Sequence, residues 1–183
     1  MALDRTYSVR WFGPFEDVEE VKRFEDEHKS TNFQLYIING YKPYAKIYDH
    51  YYCGQTQRCV YKRLTDTDHH INEYKTISAI WIGSISSVEP EHSDINTIEN
   101  IITAQLSDIF GETRMLNKIN TRFPKYNVYV VNIWHNTKGQ RMKKYPQFSI
   151  PVDLPDIIGH EYDKDSDSHL LYSASKIPCK DCK

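Results

Sequence analysis

Glu99 stands where a carboxylate is costly. It lies four residues after Ile95, three before Ile102 and seven before Leu106, so it projects from the apolar side of a helix. A charge on such a stripe costs on the order of several kcal/mol unless it is paired or metal-bound. At the margin of the stripe it would instead reach solvent or an arginine. Arg63 poses the same puzzle, with Cys59 and Val60 one turn back and Leu64 next to it. Its guanidinium either bridges to Glu99 structurally or points into a cleft and grips a phosphate bidentately. Tyr36 sits inside one strand and Tyr52 near the end of the next, with Gly54 following where a backbone needs room or a positive φ. Among 14 tyrosines any one has packing as its alternative role. His69 and His70 follow the Arg63 helix and carry the side chain that titrates nearest neutrality. For them the alternative is a solvated position after a helix end.

These residues need elements to position them. Hydropathy and turn chemistry predict a strand over 7–13 that ends at Gly13-Pro14, then a helix over 17–28. A hairpin follows, with strands over 33–39 and 46–54. A helix over 57–66 has Thr56 as its N-cap. Residues 75–86 form a near-continuous apolar run, hence a strand buried on both faces. The helix over 94–110 carries the stripe of Ile95, Ile98, Ile102, Leu106 and Ile109 and ends at Gly111. Strands over 126–134 and 148–152 precede a poorly ordered tail. The order predicts an α/β (α+β) fold, a small mixed central sheet flanked by helices. It divides into a strand–helix extension over 1–32, a core domain over 33–144, and an acidic, partly irregular extension over 145–183.

With 183 residues the chain suits one domain with a tail. At 39% hydrophobic and 26% charged residues it is not wholesale disordered. No apolar run is long enough to cross a membrane. The opening residues lack the pattern of a secretory signal. Four cysteines make no disulfide scaffold, so a reducing cytoplasm is expected. The net charge of −2 hides an uneven distribution: 113–144 holds eight basic and no acidic residues. Such a segment suits a polyphosphate backbone, or else a solvated lysine-rich loop, and 137–144 reads as a hairpin tip. Cys179 and Cys182 form a CxxC downstream of His160 and His169. These four are weak candidates for a structural Zn²⁺ against a reduced tail.

The ordered set Leu35-Tyr36-Ile37, Tyr52-Cys53-Gly54-Gln55-Thr56, Lys62-Arg63-Leu64, Glu99 and Leu116-Asn117-Lys118 resembles the GIY-YIG nuclease superfamily over about residues 33–134. Leu35 replaces the family's first Gly, Cys53 its Ile, and Gln55 a Lys of repair-type members. Thr67 stands where many members have His or Tyr. The long loop between Tyr36 and Tyr52 is similar to that of restriction-enzyme-like members.

The resemblance implies a DNA endonuclease of restriction or defence type. Glu99 would hold Mg²⁺ (or Mn²⁺), and Arg63 would neutralise the non-bridging oxygens, with Lys62 as fallback. Tyr36 would position or deprotonate the water, with His70 or His69 as alternatives, and Tyr52 would hydrogen-bond the phosphate. Gly54, Gln55, Asn117 and Lys118 would lie along the substrate, Asn117 bracing the Glu99 helix or the phosphate contact. Double-strand cutting at a palindrome would call for a homodimer. The other expectation is a catalytically idle nucleic-acid-binding module on the same scaffold. A third is a structural domain whose basic strip meets an acidic protein.

Overall fold

The computed structural model describes residues 4–45, 49–86, 90–117, 122–142 and 154–174. The described elements are β1 (Arg5–Phe15), α1 (Val18–Glu27), β2 (Leu35–Tyr41), β3 (His50–Gln55), α2 (Val60–Leu64), β4 (Thr76–Ile85), α3 (His92–Phe110), β5 (Val128–His135), β6 (Ile157–Asp163) and β7 (Ser168–Ala174). The strands form one sheet in the order β3-β2-β4-β1-β5-β6-β7. β1 and β5 are parallel and every other neighbouring pair is antiparallel. The class is α+β, but the sheet has seven strands and is not small.

Period-two alternation builds a core on each face of this sheet. Trp11, Ile37 and Trp81 turn toward α3 and pack with Ile95, Ile98, Ile102 and Leu106. Their chain neighbours Phe12, Ile38 and Ile82 turn the other way, onto Val21 and Phe24 of α1 and Val60 and Leu64 of α2. β4 is covered on both faces, as its apolar run requires.

Asp17 caps α1 by accepting from the Glu20 amide at 2.8 Å, and Gly111 ends α3 at φ 89°. β1 is longer than expected. Gly13-Pro14 lies inside it, as a register shift against β4 between Phe12 and Phe15, and does not end it. β1 also lies mid-sheet between β4 and β5, so the strand within residues 1–32 is integral to the sheet. The tail likewise contributes: β6 pairs with β5, β7 pairs with β6, and Ile158 and His160 are fully buried. The expected strand over 148–152 lies outside the described residues.

α2 is shorter than 57–66, and Thr56 is not its N-cap. The Thr56 hydroxyl instead exchanges hydrogen bonds with the Arg58 backbone. The orphan first-turn amides of Val60 and Tyr61 each donate to the Glu25 carboxylate at 2.8 Å. One carboxylate thus satisfies two donors with its two oxygens, which gives a stronger cap than a single hydroxyl. Glu25→Ala is expected to lower stability by about 2 kcal/mol in urea unfolding, and Glu25→Gln by less. An unchanged midpoint would show that α2 does not depend on this cap.

Candidate functional site

The β2–β3 register sets Tyr36 opposite Gly54. A Cβ at Gly54 would stand 2.5 Å from both Cζ and Oη of Tyr36, so the glycine makes room for the phenol. Tyr36 is fully buried and Tyr52 nearly so, their rings 5.9 Å apart on the α1–α2 face. Burial pushes both phenol pKa values up, while the positive charge of Arg63 pulls both down. Arg63 does not pair with Glu99. It donates to Asp66 at 2.9 Å, one turn on, and Arg58 shares that carboxylate. Lys62 points to solvent.

A 3₁₀ turn over His70–Glu73 delivers two histidines with different chemistry. His69 is buried, with Nε2 2.9 Å from the Tyr36 hydroxyl. Its Nδ1 lies 2.9 Å from the Ile71 amide, which can only donate. The ring proton therefore sits on Nε2, and His69 donates to Tyr36 Oη. Burial, then the charges of Arg63 and His70, lower its pKa to about 4. His69 is thus a neutral donor that holds Tyr36, and in this tautomer it cannot take the phenol's proton. Long-range ¹⁵N–¹H spectra are expected to show the Nε2–H form at neutral pH, persisting until the pH approaches the depressed pKa of about 4. Protonation near the ordinary histidine value of about 6.5 would contradict this placement. His70 is the converse. Its Nδ1 bonds the Glu73 carboxylate, which fixes a proton there and leaves Nε2 with a lone pair in the neutral ring. That ring lies 5.0 Å from Tyr52.

Glu99 approaches from the other layer. β3 is an edge strand, and α3 presents His92, Asn96, Glu99 and Thr103 to it at helical spacing. Gln57 Nε2 lies 2.9 Å from His92 Nδ1. Gln55 Nε2 donates to Asn96 Oδ1 at 2.8 Å. The Thr103 hydroxyl is buried with no hydrogen-bond partner among the described residues. Within this row Glu99 has no hydrogen-bond or ion-pair partner among the described residues. Burial raises its pKa to about 7, opposed by the charge of Arg63. Its own charge in turn raises the pKa of Tyr52 and Cys53. Both phenols pack on the α1–α2 face and Glu99 comes from α3 on the opposite face; at the sheet edge Tyr52 alone of the two is within electrostatic reach of the carboxylate.

Two expected substrate contacts are otherwise engaged. Gln55 holds Asn96, and the Asn117 amide brackets the Cys53 backbone, accepting at 2.9 Å and donating at 2.5 Å. Asn117 therefore substitutes for a missing strand along β3, with Leu116 N–H to Tyr51 O beside it, rather than bracing α3. Lys118 lies outside the described residues, as do Lys143, Lys144, Cys179 and Cys182.

The basic segment is not a free strip throughout. Arg114 lies over the Tyr51 and Phe110 rings and donates to the Asp49 carbonyl. Lys125 pairs with Asp167. Lys138 and Arg141 ride the turn after β5, which Asn136 organises. His160 Nε2 and His169 Nδ1 meet at 3.1 Å on neighbouring strands. Among the described residues no group of three or more His, Cys, Asp or Glu side chains is arranged for a metal. Among them, too, no helix is long and apolar enough to cross a membrane.

The chain matches no protein-family model, no curated protein and no solved structure.

Proposed function

We propose that this protein is a metal-dependent endonuclease of GIY-YIG type that hydrolyses DNA phosphodiester bonds. One observation carries the reading: Glu99 is a half-buried carboxylate without a partner among the described residues, within electrostatic reach of an arginine and a tyrosine. Its oxygens are not among the buried unpartnered atoms, so they reach solvent and are open to an incoming cation. A lone carboxylate fits a hard cation such as Mg²⁺, which keeps most of its water ligands. Glu99 would hold it, and the bound cation would supply Lewis-acid stabilisation of the phosphate and leaving oxygen.

The remaining roles belong to the chain's own groups. Arg63, held at one nitrogen by Asp66, keeps further N–H groups for the non-bridging oxygens, whose charge grows in the transition state. Tyr52 donates to the phosphate. Tyr36, without exposed surface and fixed by the proton of His69, holds the neighbouring Tyr52 ring in place. His70 is the proton acceptor, because its Nε2 lone pair remains available while the ring is neutral.

Supercoiled plasmid incubated with the protein and Mg²⁺ is expected to be nicked or linearised, and Glu99→Gln to leave it intact. Equal cleavage by both forms would remove the metal role. Failure to cut DNA or RNA with either Mg²⁺ or Mn²⁺ would overturn the enzyme reading.

A further inference from the structure

A polar cavity of about 440 Å³ opens where β1, the loop before β2 and the start of α3 converge. Its wall is rich in donors: Arg10, Asn32, Gln34, Gln57, Ser84 and His92. No acidic residue lines it among the described residues, in a chain with 25 acids against 23 Lys and Arg. Arg10 is exposed and makes no ion pair or hydrogen bond among the described residues. Gln34 is only 4% exposed. Its Oε1 accepts from the Ile85 amide, and its Nε2 donor has no partner among the described residues. A buried amide donor on the wall, an unpaired guanidinium and the absence of carboxylates among the described wall residues together describe a receptor for an anion with several acceptor oxygens.

We infer that this cavity binds a phosphate of a nucleic-acid strand flanking the one held at Glu99. The inference rests on the proposed function. Gln57 and His92, which bond each other at 2.9 Å, belong both to the cavity wall and to the polar row that contains Glu99. His92 precedes Glu99 by about two turns, or about 10 Å along α3. That distance is of the order of the spacing between nearby phosphates on one strand. The bidentate geometry of Arg10 suits a phosphodiester, and the neutral amides and hydroxyls around it satisfy the remaining oxygens.

Anisotropy of a labelled duplex of about 20 base pairs in EDTA tests this without requiring cleavage. Arg10→Gln is expected to weaken binding about 3- to 10-fold and to lower the slope of log K against log salt by about one. Arg10→Lys should keep most of the affinity, and Lys164→Gln, on the remote β6–β7 turn, should bind as wild type. An unchanged affinity and slope in Arg10→Gln would overturn the inference. So would inorganic phosphate or 5′-AMP binding as tightly, per site, as the duplex, since the cavity would then serve a free phosphate. Arg10-dependent binding without any cleavage would support the subsite while refuting the hydrolase. Cleavage with kcat/KM unaltered by Arg10→Gln would do the reverse.

Discussion

Glu99→Gln is expected to lose activity and gain stability together. The carboxyl has a folded-state pKa of about 7 against an ordinary value of 4.5, because burial disfavours its charge. Between these values the folded chain binds more protons than the unfolded one. Stability therefore falls as pH rises from about 4.5 to about 7, and the loss is complete above that. Raising a pKa by one costs the ionised form about 1.4 kcal/mol, so the full penalty is about 3 kcal/mol at about pH 8. Glutamine carries no charge and escapes it. In EDTA the variant should exceed wild type by about 2–3 kcal/mol at about pH 8, and the two should converge below about pH 5.

His69 and His160 act oppositely in the same range. Each is held near pKa 4 by burial, so each loses stability as pH falls from about 6.5 toward 4. The difference between variant and wild type isolates the carboxylate from them. Mg²⁺-dependent cleavage by the variant should fall more than about 100-fold, as when a group that stabilises transition-state charge is removed. A variant less stable than wild type in mild alkali would mean that Glu99 has a structural partner, and the case for a cation would fail with it.

Gly54→Ala should damage both the fold and the site. The added carbon would stand 2.5 Å from two atoms of the Tyr36 side chain. That side chain has no exposed surface, and His69 holds its hydroxyl at 2.9 Å. Either the phenol moves and breaks that bond, or β2 and β3 separate along their ladder. Overpacking of this kind costs about 3 kcal/mol. Cleavage should drop with it, because the displaced phenol no longer holds the Tyr52 ring in place. Tyr36→Leu shortens the opposing side chain, so the double variant should be less destabilised than the two single changes summed. Tyr36→Phe separates the effects: it keeps the ring and removes only the hydroxyl. Strictly additive costs in the urea midpoints would show that the two residues do not press on each other.

Much of this arrangement is legible before folding. The spacing of Ile95, Ile98, Ile102 and Leu106 defines α3 and places Glu99 beside its apolar stripe. The unbroken run around Trp81 announces a strand covered on both faces. Other features resist such reading because distant segments decide them. α2 takes its cap from Glu25, on a different helix, so its start is invisible in its own residues. β6 and β7 carry weak alternation and a buried histidine, and only pairing of β6 with β5 and of β7 with β6 makes them strands. The Arg63 helix suggests a bridge to Glu99, yet Asp66 lies one turn away and takes the guanidinium. The Tyr36–His69 bond has one faint signal in the sequence, a histidine after the arginine, with nothing to tell His69 from His70.

The amino-acid order determined which residues are chemically capable: a carboxylate at the margin of an apolar stripe, an arginine on a short helix, two strand tyrosines and a glycine in the second hairpin strand. It could do so because helix and strand periods are local and project side chains in known directions. The tertiary structure alone decided which of them interact. Protonation follows from burial and from hydrogen bonds between segments remote in sequence. Those contacts keep His69 neutral, aim its proton at Tyr36, and leave Glu99 at the sheet edge without a partner among the described residues.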